Sequence, residues 1–258
     1  MSKPLILVVN DDGIFSGGIA ALVEVASLIG EVVVVAPDTP QSAKGHSITI
    51  NGPIRLNRDK KIFKGIESYE CSGTPVDCVK LAKNVILKDR KIDLCLSGVN
   101  HGSNSSINII YSGTMGAAME ASLEGIPSIG FSLLDYSMEA NFDSIKQHIK
   151  KIAEFILENY AAQPILLNVN FPKINLGEKF AGIKVCRQGE ANWVEEFMEA
   201  TDPQGRKYYW LTGKFENQEL EANDTDVWAL ENNFISIVPS IHDLTDYKAI
   251  KGLQGLNL

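Results

Sequence analysis

Leu5-Ile-Leu-Val-Val-Asn-Asp-Asp-Gly13 decides the fold: five aliphatic residues run without a break and stop at two adjacent acids and a glycine. A short continuous aliphatic run with turn formers behind it reads as a strand buried on both faces, the kind found inside parallel sheets. Asp11 and Asp12 then stand at its carboxyl end, where ligands bind in open α/β sheets because loops and helix starts converge there. Two neighbouring carboxylates repel each other unless something positive lies between them, and a divalent cation with oxygen ligands meets that need. Asn-Asp-Asp-Gly is equally a good turn, since these residues favour turn conformations. On this tetrapeptide both readings stand.

Working outward, residues 17–28 place Ile19, Leu22, Val23 and Ala26 on one helical face, Gly30 closes the helix, and residues 32–36 form a second aliphatic run. The opening is therefore β-α-β with a right-handed crossover, a Rossmann-like start to a mostly parallel sheet flanked by helices. It lacks Gly-x-Gly-x-x-Gly at the first turn, which disfavours an NAD enzyme. Residues 37–47 are too long and polar for a tight turn and read as a functional loop, with Ser42, Lys44 and His46 as its chemically interesting members. Residues 48–55 alternate around Asn51-Gly52, a hairpin pattern. Thr74 as N-cap and Pro75 as first helical residue start a helix running to about Val85.

Further strands are expected at 92–97, 128–132 and 165–169, with a small-residue helix at 115–123 opened by Tyr111-Ser-Gly-Thr114 and an amphipathic helix at 142–160. The first of these strands runs into Ser97-Gly-Val-Asn-His-Gly-Ser-Asn104, again polar residues at a strand's carboxyl end. Beyond Lys173 the pattern changes to short strands and polar loops, anchored by Trp193, Trp210 and Trp228. This divides the chain into a core of about residues 1–188 and an extension of about residues 189–258.

Composition narrows the function. With 258 residues, 45% hydrophobic and 22% charged, the chain has material for a sizeable globular core. A formal net charge of -8 argues against a nucleic-acid duplex or an anionic membrane as partner, because both demand basic surface; a small phosphorylated ligand in a local site is compatible with it. Cys71, Cys78, Cys95 and Cys186 show neither zinc-type pairing nor disulfide-scaffold density and read as buried thiols in a reducing cytosol. Met1-Ser-Lys-Pro4 leads straight into a strand without the features of a signal peptide, and no run of about 18 apolar residues suggests a membrane span. A cytoplasmic location is the expectation.

Asn10-Asp-Asp-Gly13, Ser72-Gly-Thr-Pro-Val-Asp-Cys-Val79, the Ser97–Asn104 motif and Tyr111-Ser-Gly-Thr114 together resemble the SurE family of survival-protein nucleotidases. Asn168-Val-Asn-Phe-Pro172 and Asp224-Thr-Asp226 extend the resemblance over nearly the whole chain. It implies a Rossmann-like core, a C-terminal β-rich extension exchanged between subunits of a homodimer or tetramer, and a metal-dependent phosphomonoesterase acting on nucleoside 5′-monophosphates, with 3′-monophosphates and short polyphosphate as further substrates. Carried over by motif, the metal ligands are Asp11, Asp12, Ser42 and Asn100. One divalent ion per subunit, Mg²⁺ or Mn²⁺, suits these hard oxygen donors. Asp11, Asp12 and Asn100 also take the catalytic roles, while Asn104, Ser112, Gly113 and Thr114 bind the phosphate through amides and hydroxyls at a helix start.

Two departures accompany the resemblance. Ala43 follows Ser42 where the family commonly has Gly, and Ser105-Ser-Ile-Asn108 lies where relatives often carry acids, so no acid/base role is borrowed at that position. A phosphatase of haloacid-dehalogenase type would show Asp-x-Asp after the first strand, which Asp11-Asp12-Gly13 does not supply. The remaining rival is a non-catalytic nucleotide-binding or stress-signalling module.

Overall fold

Aliphatic strands at the centre and polar loops at one edge define the architecture of the computed structural model, which describes residues 3–59, 61–137, 139–161, 163–175 and 177–256. The first half comprises β1 (Leu5–Val9), α1 (Gly17–Ile29), β2 (Glu31–Pro37), β3 (Leu56–Asp59), β4 (Glu67–Cys71), α2 (Pro75–Leu81), β5 (Leu94–His101), α3 (Asn108–Tyr111) and α4 (Gly113–Leu123). It continues with β6 (Ser128–Leu133), α5 (Asp143–Asn159), β7 (Leu166–Phe171), β8 (Gly182–Val185), β9 (Ala191–Val194), β10 (Phe197–Thr201), β11 (Lys207–Leu211), β12 (Lys214–Asn217), α6 (Asp226–Glu231), β13 (Phe234–Ser240) and α7 (Tyr247–Leu253). Among the described residues nine strands form one sheet in the order β3-β4-β2-β1-β5-β6-β7-β13-β8. The six from β4 to β7 are parallel, while β3 and β13 run antiparallel to their neighbours β4 and β7.

β1 is buried along its whole length because both faces are covered. Ile6 and Val8 join the core beneath α1 and α5, and Leu5, Leu7 and Val9 join the core beneath α2 and α4, as the two-residue period of a strand requires. The chain leaves β1 toward β2 on one side and later returns to β5 on the other. The carboxyl ends of β1 and β5 therefore flank a topological switch point, where an α/β sheet opens a crevice. α1 is set close to this crevice: a Cβ at Gly18 would collide with the Val99 carbonyl of β5.

The alternation at residues 48–55 does not become a hairpin, and no strand forms there. Its backbone groups find other partners: the Thr49 N–H meets the Asp77 carboxylate at 3.2 Å and the Arg55 N–H meets Ser72 Oγ at 2.8 Å. Pro53 would in any case remove a donor from a ladder. The antiparallel pair at this edge is instead β3 with β4. The Thr74 helix forms as expected, with Thr74 and Asp77 in a capping box, but after Leu81 it widens into a π-helical turn, Ala82–Ile86. β5 runs four residues past the expected end, so Asn100 and His101 lie in the strand, beyond a register shift between Ser97 and Asn100.

C-terminal to residue 173, β13 enters the central sheet between β7 and β8. Asp226 ties this part to the loop after β5: buried, it accepts from the Ser106 N–H at 2.8 Å and the Gly189 N–H at 2.9 Å. The antiparallel pairs β9-β12 and β10-β11 lie outside the sheet, and α7 buries no residue. No helix among the described residues is long and apolar enough to cross a membrane.

Candidate active site

The turn after β1 is built by Asn10 and Gly13, which leaves the two acids free for other work. Asn10 is buried and its amide donates to the Gly13 carbonyl at 2.8 Å and to Ser16 Oγ at 2.9 Å, while Ser16 in turn caps α1. Gly13 takes φ +92°, a conformation natural to glycine, and the next N–H, of Ile14, reaches the Pro37 carbonyl at 2.9 Å. The turn reading and the site reading of Asn-Asp-Asp-Gly are thus met by different residues.

Asp11 is only 3% exposed and lies under the first residues of α4. Thr114 Oγ1 donates to its Oδ1 at 2.5 Å, and a Cβ on Gly113 would fall 2.8 Å from Asp11 Cβ and 3.0 Å from Oδ2, so only glycine lets α4 approach this closely. Burial first, and the neighbouring Asp12 charge second, push the Asp11 carboxyl up to about 6, against the lowering effect of the Thr114 bonds. Asp12 Oδ2 accepts from the His101 backbone N–H at 3.3 Å and contacts His101 Nδ1 at 3.0 Å. That bond, with the carboxylate charge, raises the His101 pKa above its ordinary value although burial works the other way. The Asn100 amide donates from Nδ2 to the Gly102 carbonyl at 2.9 Å, which leaves its Oδ1 as an acceptor.

The loop from β2 is clamped against this centre. Its Gln41 N–H binds the Asp11 carbonyl at 2.7 Å, and its Gly45 N–H binds the Tyr111 carbonyl at 3.0 Å. Farther along, His46 Nε2 lies 2.8 Å from Glu120 on α4, which also pairs with Lys80 of α2 at 2.5 Å, and Thr74 Oγ1 donates to the Ser47 carbonyl at 2.7 Å. Burial acts to raise Glu120, but its bonds to Lys80 and His46 outweigh it and hold the carboxyl below its usual value. Ser42 is exposed, one residue past the Gln41 anchor. Ala43 sits at φ 58°, a left-handed conformation in which a Cβ costs about 1–2 kcal/mol. Ala43→Gly relieves that strain at the cost of a more flexible unfolded chain, so a net gain of up to about 1 kcal/mol is expected in denaturant unfolding.

Other candidate residues serve the scaffold in this structure. Ser112 Oγ accepts from the Met115 N–H at 3.0 Å and caps α4. Asn104 is buried: its N–H reaches Asn170 Oδ1, its amide reaches Ser132 Oγ, and its carbonyl accepts from Asn168, each at 2.8 Å. These bonds lock the loop after β5 to the ends of β6 and β7. Asp11, Asp12, Gly113 and Thr114 are brought together directly, and Asn100 joins them through its strand neighbour His101. The pairing of His101 with Asp12 and the His46-Glu120-Lys80 cluster were not legible in the sequence, because the partners lie far apart along the chain.

The donor set fits a divalent cation of the Mg²⁺ or Mn²⁺ kind. Among the described residues no Lys or Arg pairs with Asp11 or Asp12, so two adjacent carboxylates, one of them buried, have His101 as their one basic partner. No group of three or more His, Cys, Asp and Glu converges among the described residues, so a nitrogen- or sulfur-rich zinc centre is not built here. Two carboxylates, the Asn100 Oδ1 and the Ser42 hydroxyl are hard oxygen donors.

The family profile described as Survival protein SurE matches residues 6–195. The 5′-nucleotidase SurE of Cytophaga hutchinsonii is 57% identical over 254 residues, covering 98% of this chain and 97% of that protein. Its counterpart from Flavobacterium psychrophilum is 57% identical over 258 residues, covering 100% and 99%. The crystal structure of the SurE protein from Aquifex aeolicus superposes with a TM-score of 0.82 at 40% identity over 97% of this chain and 98% of its own. With the profile spanning most of its length and these relatives matching it end to end, this chain belongs to the SurE family.

Proposed function

We propose that this protein is a 5′-nucleotidase, a divalent-metal phosphomonoesterase that hydrolyses nucleoside 5′-monophosphates to nucleoside and phosphate. The observation that carries the reading is the pair Asp11 and Asp12 at the carboxyl end of β1, one buried with its carboxyl pushed up to about 6, beneath the first residues of α4. Full-length relatives at 57% identity bearing the name 5′-nucleotidase SurE support it. Asp11, Asp12, Ser42 and Asn100 would hold one Mg²⁺ or Mn²⁺ ion. When bound, such an ion supplies Lewis acidity toward the phosphoryl oxygens.

The chain's own groups do the rest. The Ser112-Gly113 backbone at the start of α4 offers donors to the phosphate, and Thr114 acts beside it by holding the Asp11 carboxyl with its hydroxyl. Asn104 acts with them by holding the loop after β5 in place. Water attacks phosphorus, the P–O bond to the nucleoside breaks, and the leaving oxygen takes up a proton.

The test is a phosphate-release assay across nucleoside 5′- and 3′-monophosphates and short polyphosphate, with Mg²⁺, Mn²⁺ or chelator. Release from 5′-monophosphates that chelator abolishes is expected, with 3′-monophosphates and polyphosphate as slower substrates. No release from any of them, despite nucleotide binding, would make the protein a silent binding module.

The protein acts as a homodimer or tetramer, and the unburied segments beyond Gly189 support this. β10 and β11 expose Phe197, Met198, Trp210 and Leu211, and α7 exposes Tyr247, Ile250 and Leu253. Contiguous apolar surface of this kind marks an interaction site. Sedimentation at micromolar protein is expected to show dimer or larger, and Trp210→Glu with Leu211→Glu to shift it toward monomer; monomer alone in the wild type would contradict the assignment. The four cysteines are free and buried, which fits a cytoplasmic setting.

A further inference from the structure

Each acid of the pair is held by one of its oxygens. Thr114 Oγ1 donates to Asp11 Oδ1 at 2.5 Å, while His101 meets Asp12 Oδ2 twice, with its backbone N–H at 3.3 Å and its ring Nδ1 at 3.0 Å. We propose, resting on the reading of Asp11 and Asp12 as metal ligands, that His101 is a positioning residue for the cation. Its ring anchors Asp12 by Oδ2 and so keeps Oδ1 for the metal.

The need for such an anchor follows from the aspartate side chain. The torsion that turns its carboxylate is broad and roughly two-fold, so an unheld group swings and exchanges its oxygens. Among the described residues Asp12 Oδ1 bonds no group, and both donors fall on Oδ2. One oxygen is therefore engaged by the protein and the other is left. That division suits Mg²⁺ or Mn²⁺, whose strict geometry rewards ligands fixed before the ion arrives. A carboxylate held from behind by a hydrogen-bond donor is the usual way a protein orients such a ligand.

The ring is itself fixed. His101 is the last residue of β5 and pairs in register with Leu133 of β6. Its mostly buried side chain meets the Phe142 ring edge-on, with centroids 5.1 Å apart at 88°. The next residue is tied down as well: the Gly102 N–H donates to the Leu133 carbonyl at 2.8 Å, and the Gly102 carbonyl accepts from Asn100 at 2.9 Å. A carboxylate only accepts, so Nδ1 is the donor in either charge state of the ring, and the hold does not depend on titration. A Lys or Arg here would bring a permanent positive charge to the place a cation must occupy. His46, by contrast, spends its ring nitrogen on Glu120, away from the two acids.

The experiment titrates Mn²⁺ calorimetrically, at a single pH, into metal-free wild type, His101→Phe and His101→Asn, after melting curves confirm folding. Phe keeps a ring for Phe142 and loses the donor; Asn loses the ring and keeps an amide donor close to where Nδ1 lies. His101→Phe is expected to weaken Mn²⁺ binding about 10- to 100-fold, the usual cost of losing the group behind a ligand. His101→Asn is expected to recover most of that loss. A merely structural role would make affinity follow the melting temperatures of the metal-free proteins and leave Asn no better than Phe. Wild-type or tighter binding in His101→Phe, or equal losses in both variants, overturns the proposal. A wild type that takes up no Mn²⁺ overturns the metal reading and this role with it. Uptake with the expected difference between Phe and Asn, but without hydrolysis of any nucleotide, defeats the nucleotidase reading alone and upholds the role of His101. If His101→Phe fails to fold, His101→Ala removes the same donor without added bulk and takes its place in the comparison.

Discussion

Asp11→Asn is expected to lower nucleotidase turnover by about 10³-fold or more in saturating Mn²⁺ while raising the melting temperature of the metal-free protein. The two effects have opposite signs because, in the proposed site, one charge would serve the cation while it burdens the fold. In turnover, the variant loses a carboxylate from the site proposed to balance metal and substrate charge, and losses of this order accompany removal of one electrostatic partner of a transition state.

In stability, the folded pKa is raised from 3.8 to about 6. A carboxyl with a raised folded pKa contributes stability when protonated, fully present below about pH 4 and lost as pH rises through 6. At pH 7 without metal the ionised Asp11 therefore costs the fold about 3 kcal/mol, as an order of magnitude. The Asn side chain carries no such charge and keeps an oxygen for Thr114 to meet. The melting difference between variant and wild type should be largest near pH 7 to 8 and vanish near pH 4. A difference independent of pH would show that burial of the charge is not its cause.

Gly113→Ala is expected to reduce kcat by about 10²-fold with a much smaller effect on stability. The added methyl would fall 2.8 Å from Asp11 Cβ, closer than real Cβ contacts, and 3.0 Å from Oδ2, and Cβ is fixed to the strand backbone and cannot swing away. The start of α4 must then retreat from Asp11, lengthening the 2.5 Å Thr114 bond and moving the amides proposed to face the phosphate. Misplacement of such groups by about 1 Å costs on that scale. Steady-state kinetics beside a thermal melt measure both quantities, and Gly116→Ala, where the methyl would meet the Gly45 carbonyl at 2.5 Å, gives a comparison at the clamped loop instead of at the acid.

The parts of the fold that were legible are those whose local pattern and tertiary environment agree. β1 and β2 are aliphatic because both faces are covered, and α5 alternates because one face is wet, so each carried its environment in its own residues. Residues 48–55 misled because strand alternation needs a neighbouring strand, and here Ser72 and Asp77 took the backbone donors. β13 looked like part of an appendage because its run is short, yet its place in the sheet is set by pairing to β7, a partner some 70 positions away in sequence, a loop closure that leaves no local signal.

The site divides the same way. Asp11 and Asp12 follow directly from a strand ending in acids, and Gly113 from a helix that begins with small residues. His101 lies inside a quoted motif, but its pairing with Asp12 spans 89 positions and depends on β5 lying beside β1. Glu120 is a buried acid on a helix of small residues, which is itself a signal, since a carboxylate is rarely buried without cationic partners. Its partners His46 and Lys80 come from two other elements and could be identified only once these were packed together.

The account turns on one cation held jointly by Asp11 and Asp12, and calorimetric titration of Mn²⁺ into the metal-free protein tests it most directly. The wild type should bind one Mn²⁺ per chain. Because the Asp11 carboxyl is pushed up to about 6, binding at pH 6 should release about half a proton and binding at pH 8 almost none, read from the dependence of the heat on buffer ionisation. Asn100→Ala, which removes a neutral oxygen, should weaken binding less than Asp11→Asn, which removes a charge. A wild-type protein that takes up no Mn²⁺, or an Asp11→Asn protein that binds it with wild-type affinity and the same proton release, would contradict the account and leave the two acids as residues of a turn.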